Sequence, residues 1–175
     1  MTTPAWAPDP TLTSDAVARE AAWLATSGDS LPALLTSAGG PFQVVQAYWP
    51  GAKFAAKKTG LYVQRRKLTV IRHGGQRLMP RHVWPVKLVW PVKTTTPGIA
   101  ETEGQNFDYA IELLRQRVSD LPGDHTHGGR FLSAAEAPEN QFFEVEFADP
   151  EITIPAGGWL RAMALYSADD RELQG

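Results

Sequence analysis

The sequence predicts one α+β domain, a mostly antiparallel or mixed sheet of five or six strands with two main helices packed on one face. Three observations carry that expectation. The 175 residues are about one domain's worth of chain. Helical and strand periodicities follow one another as helix, three strands, helix and two or three strands, with no internal repeat. A composition of 43% hydrophobic and 21% charged residues is that of a chain able to build a core.

The first segment, residues 1–12, contains Pro4, Pro8 and Pro10 and no apolar period, so it reads as an extended arm. Ser14 or Thr13 then suits an N-cap, with Asp15 in the first turn. Val17, Ala21, Leu24 and Ala25 recur at helical spacing before a stop at Gly28. Ser30 opens a second helical turn or two through Pro32, Leu34 and Leu35, closed by Gly39-Gly40. Residues 42–49 are β-prone and end at Pro50-Gly51. Over residues 61–72 the apolar positions are odd at Leu61 and Val63 but even at Leu68 and Val70, which requires a bulge or break across Gln64 to Lys67. After a turn at Gly74-Gly75, residues 83–92 place Val86, Leu88, Trp90 and Val92 on one face, and Pro85 and Pro91 mark an edge or bulged strand.

Residues 94–105 read as a long polar linker loop. Phe107, Ala110, Ile111, Leu114, Val118 and Leu121 then show the best helical period in the chain, stopped by Pro122-Gly123. Residues 130–135, 143–147 and 159–166 read as strands, and residues 168–175 as a frayed tail.

Charge is segregated along the chain. Residues 1–52 carry −3, residues 53–93 carry +11 without one Asp or Glu, and residues 94–175 carry −10. Such a particle is steered toward polyanions or toward copies of itself, unless the two regions neutralise each other across strands of one subunit. The absence of cysteine excludes disulfides and thiolate metal sites and suits a reducing compartment. No apolar run reaches the ~18 residues of a membrane span, and MTTPAWAPDP has neither the basic region nor the apolar block of a signal peptide, so no membrane partner is expected.

The chemical motifs are sparse. His125-x-His127 lacks the further ligands a metal centre needs and reads as a glycine-flanked polar turn, and His73 and His82 read as surface or hairpin residues. The Gly-Gly doublets are not phosphate-binding loops, and no G-x-S-x-G elbow occurs. No catalytic residue, metal or cofactor is expected, and the chain is not expected to be an enzyme. What remains is an interface. Lys57, Lys58, Arg65, Arg66, Lys67 and Arg72 are its basic side, and Glu144 and Glu146, two apart on one strand, are its acidic counterparts. A nucleic-acid-binding domain using residues 53–93, whose bases are interleaved with aromatics, is the alternative of a different class.

The order of elements resembles that of the tail terminator proteins of long-tailed, siphovirus-type phages. The closing stretch, from GGRFLSAAE through VEFADPEITIPAGGWLRAMALYSADDRE, carries most of the likeness. The resemblance implies a structural virion subunit assembled in the host cytoplasm as a homo-hexameric ring. It would cap the tail-tube protein and join it to the head-side connector, with DNA only as cargo passing through the lumen. Another head–tail connector or tail-completion subunit would share that ring assembly. The proline-rich arm and the 94–105 linker exceed a minimal fold of this family.

Overall fold

A computed structural model describes residues 15–28, 31–51, 58–73, 77–92, 98–119, 125–134, 144–146, 159–170 and 173–174. Helix α1 (Ala16–Ala25) and helix α2 (Ile99–Ser119) pack against a mixed sheet of strands β1 (Val44–Ala47), β2 (Gly60–Val63), β3 (Lys67–His73), β4 (Arg77–Pro91), β5 (Ser133–Ala134), β6 (Glu144–Glu146), β7 (Trp159–Asp169) and β8 (Leu173–Gln174). The order is β1-β2-β4-β7-β5, with β3 and β8 pairing with β4 and β6 pairing with β7. Among the described strands only β1 and β2 pair in parallel; the other ladders between strands are antiparallel. The class is α+β, as the periodicities imply. No helix among the described residues is long and apolar enough to cross a membrane.

The core forms on one face of the sheet. Trp84, Val86, Leu88 and Trp90 of β4 meet Leu61 and Val63 of β2, Val17 and Leu24 of α1, and Phe107, Ala110, Leu114 and Val118 of α2. On β7 the core-facing positions Ala162, Ala164 and Ala168 are small, which lets neighbouring elements approach the sheet closely; Tyr166 and, at the strand's start, Leu160 are the large ones. A smaller cluster, Tyr62 and Val89 with Val44, Trp49 and Trp159 packed against it, lies apart from this core.

The parity change between Leu61 and Leu68 is a bulge. Val63 pairs with Val86 and Lys67 with Val83, so four steps on β2–β3 span three on β4. Of the two expectations for the prolines of β4, an edge or a bulged strand, the bulge holds and the edge does not. β4 is central, with β2 and β3 on one side and β7 on the other. The Pro85 carbonyl accepts from Gln64 N–H at 3.1 Å, so the side on which Pro85 lacks a donor is the bulged side, where the ladder is interrupted. The Pro80 carbonyl accepts from Asp170 N–H at 2.8 Å, and its missing donor falls just past the end of β7.

Four further expectations are corrected. Asp15 occupies the N-cap position of α1 without a side-chain cap bond, its carboxylate instead receiving Arg19 Nε at 2.8 Å; residues 13 and 14 lie outside the described residues. Residues 31–34 are not helical. Only a 3₁₀ turn, Thr36–Ala38, forms there, closed by Gly39 at φ +89°, because Leu35 bridges to Phe42 instead. The second half of the expected linker is helix: α2 starts at Ile99, with the Gly98 carbonyl receiving Thr102 Oγ1 at 2.7 Å and Glu103 receiving Trp90 Nε1 at 2.6 Å. The expected frayed tail is largely ordered, since β7 runs to Asp169, Asp170 is buried, and Leu173–Gln174 pairs with Arg77–Leu78. The proline-rich arm, residues 1–12, lies outside the described residues.

Candidate functional site

The bulge places the basic triplet at the rim of the sheet. Arg65 is half-buried, while Arg66 and Lys67 are exposed where β3 begins, and Lys58 is exposed ahead of β2. Lys57 lies outside the described residues. Arg72 lies in β3 and Glu144 and Glu146 in β6, but the side chains of these three are not described. Within one subunit the structure does not bring the bases to the acids: β3 flanks β4 on one side, and β6 flanks β7 on the other.

Beyond the bulge the β3–β4 hairpin outruns its cover. Leu68 pairs with His82 and Val70 with Pro80, positions in line with the core face of β4. Yet Leu68 is 38% and Val70 47% exposed. Two β-prone aliphatics on a core-facing register, left in solvent, are an apolar strip next to a cluster of cations.

Some of the segregated charge is neutralised internally. Arg81 holds Asp169 through two bonds, Nε at 2.5 Å and Nη2 at 2.7 Å, joining β4 to β7. That bond raises the Arg81 pKa further, against a smaller lowering by burial. Arg19 of α1 reaches Asp170 at 2.5 Å and the Arg130 carbonyl at 2.5 Å. Burial alone would lower the Arg19 pKa, but the bonds to Asp170 and Asp15 outweigh it and raise it.

Two histidines are more buried than the sequence reading has them, whereas His125 is exposed in a turn as read. His82 is fully buried in β4, stacked on Trp84 at 4.9 Å and 3.2 Å from Asp170 through Nε2. Residues 125–130 do form turns, but His127 is buried with φ +49° and lies flat on Trp23, ring centroids 3.7 Å apart. Its Nδ1 is 3.0 Å and 3.1 Å from the two Glu20 oxygens, and its Nε2 is 3.4 Å from the Val118 carbonyl. Glu20, itself fully buried, also accepts the Tyr166 hydroxyl at 2.5 Å. Arg117 of α2, buried as well, donates to the Trp23 and Thr26 carbonyls at 2.6 and 3.0 Å, and its guanidinium lies 4.5 Å over the Trp23 ring.

These groups join α1, α2, β7 and the 125–131 turns, and a histidine beside a glutamate invites a catalytic or metal reading. The geometry supports a clamp. Among the described residues no three His, Cys, Asp or Glu side chains converge to hold a metal ion. Two clefts of about 250 and 360 Å³ share Pro41, Trp90 and Asn106 and are lined by none of the clamp's residues, so neither leads to the Glu20 carboxylate. Sequence reasoning missed Glu20, Tyr166, Asp169 and Asp170 because single polar residues on apolar faces leave no periodic trace. No protein-family model, curated protein or solved structure matches the chain.

Proposed function

We propose that this chain is a structural, ring-forming subunit, and that its ring caps a phage tail tube and joins it to the head-side connector. The single observation that carries this reading is the uncovered strip Leu68–Val70 on the β3–β4 hairpin, bordered by Arg66 and Lys67. An apolar strip with a charged rim is the anatomy of a protein–protein contact, in which the aliphatics supply burial and the charges set register. Separation of the basic and acidic strands onto opposite sides of the sheet supports contacts between subunits over neutralisation within one. The part played by the tail tube and connector rests on the resemblance in element order.

The nucleic-acid reading draws on a different surface. Lys87 Nζ lies 4.2 Å over Trp49, and Arg161 lies 4.4 Å over Trp159, next to the smaller Tyr62–Val89 cluster. In a ring this surface would suit a lumen through which DNA passes.

Electron microscopy of the purified full-length chain, with double-stranded DNA retention measured in parallel at low salt, separates the two readings. Six-fold rings without DNA retention are expected. A persistent monomer that binds DNA, and loses it in a Lys87→Glu/Arg161→Glu variant, would replace the ring reading with the nucleic-acid one.

A further inference from the structure

The backbone directions of the sheet show which contact would join the subunits. Arg66 N–H donates to the Val83 carbonyl and Gln64 N–H to the Pro85 carbonyl, whereas Asp170 N–H donates to the Pro80 carbonyl. Odd residues of β4 therefore turn their polar groups toward β3, and even ones toward β7. Leu68 and Val70 face the even residues His82 and Pro80, and Arg72 faces Leu78. The alternation of an antiparallel ladder then turns the N–H and C=O of Leu68, Val70 and Arg72 away from β4, along an edge that no other described strand covers. A seven-residue edge of this kind, with aliphatics 38% and 47% exposed, is a template for a further strand.

The opposite edge is complementary. Val86 pairs with Ala164, so Ala164 spends its polar groups on β4, and Leu165 and Met163 turn theirs to Glu144 and Glu146 of β6. Val145, between them, is left with its backbone groups directed outward from the described sheet. Residues 131–160 contain six acids and no Lys or Arg, whereas residues 53–93 contain eleven bases and no acid. Pairing β3 with β3 about a two-fold axis at Val70 would oppose Leu68 to Arg72 and Lys67 to His73, joining two edges of the same basic segment with no acid to meet either.

We infer that the β3 edge of one copy adds to the β6 edge of a second copy, head to tail, with Val70 and Val145 at the junction. This rests on the ring reading and names its contact. Two different patches make a heterologous interface, which closes into a ring if the rotation per subunit allows.

Proline tests the contact without touching the protomer's own ladder, because the N–H groups of Val70 and Val145 face outward. Val70→Pro and Val145→Pro full-length variants would be checked for native circular dichroism, with Val70→Glu and Glu144→Lys/Glu146→Lys as second variants for each edge. Sedimentation velocity would then be run on each variant and on an equimolar mixture. Each proline variant alone should be monomeric, and the mixture should give a two-copy species and nothing larger, because each variant keeps one intact edge. The inference is overturned if either folded variant assembles like wild type, or if the mixture stays monomeric. Assembly of Val145→Pro but not Val70→Pro would mean β3 pairs with itself. A wild-type ring still stands in the first two of those outcomes, whereas β3 self-pairing, which closes at two copies, or a wild-type chain that never assembles contradicts the ring reading too.

Discussion

The Tyr166 hydroxyl donates to the Glu20 carboxylate at 2.5 Å, between two side chains that are almost entirely buried. The bond ties the middle of α1 to β7, and the other hydrogen bonds of the same carboxylate tie α1 to His127 in the 125–131 turns. A charge so deeply placed is tolerable only while its partners remain. Tyr166→Phe removes one partner of that charge and should cost about 1–3 kcal/mol, and Glu20→Ala, which leaves the Tyr166 hydroxyl and His127 without their acceptor, about 2–5 kcal/mol, measured by urea denaturation.

The same pair gives a pH prediction. Burial, and then the Glu20 charge and its hydrogen bond, push the Tyr166 phenol well above its usual 10.0. The folded pKa is raised, so the contribution is intact below the unfolded value and is lost as pH rises beyond it. Ultraviolet titration follows phenolate formation, with unfolding monitored in parallel by circular dichroism. The Tyr166 phenolate should appear only with cooperative unfolding, a phase absent in Tyr166→Phe.

Arg117 closes the C-terminal end of α1 from a neighbouring helix, with its Nη2 shared between the Trp23 and Thr26 carbonyls. A cation there complements both the orphan carbonyls and the helix dipole. Lysine presents a point charge where the site uses a planar fork over Trp23. Arg117→Lys should lose roughly 2–4 kcal/mol, with the loss of α1 protection visible by amide hydrogen exchange.

The bulge makes the prolines of β4 unequal to any new one. Pro85→Ala should change stability by less than about 1 kcal/mol, because the restored N–H faces the interrupted ladder. Val86→Pro should abolish folding, because the Val86 N–H faces β7 in an intact ladder. Thermal unfolding of the two variants checks this difference.

Gly60 is fixed by its neighbour, since a Cβ there would sit 2.7 Å from the Tyr62 ring. Gly60→Ala should destabilise by about 1–3 kcal/mol through overpacking. In a Tyr62→Val background the cost should largely vanish, which a double-mutant cycle by chemical denaturation would measure.

Much of this fold is legible in the sequence, and the gaps have physical causes. Phe107, Ala110, Leu114 and Val118 bury a single face, so their period finds α2, and the parity switch from Leu61 to Leu68 finds the bulge. The first turns of α2 are hidden because their anchor is Glu103 on Trp90, a polar contact with no period. The C-terminal strand past Tyr166 is hidden for the same reason, being held by Asp169 and Asp170 on Arg81 and Arg19. Of the candidate interface, charge counting finds Arg65, Arg66 and Lys67. It does not find that Leu68 and Val70 stay exposed, which depends on where the helices stop covering the sheet.

The central claim is that this chain assembles into a closed ring. Sedimentation velocity of the full-length wild-type protein over a wide concentration range, at low and high salt, tests it most directly. The account predicts that the 19.2 kDa protomer gives way to one discrete species of about six copies, weakened by salt. A protomer unchanged at every concentration, or an open-ended ladder of sizes, would contradict it.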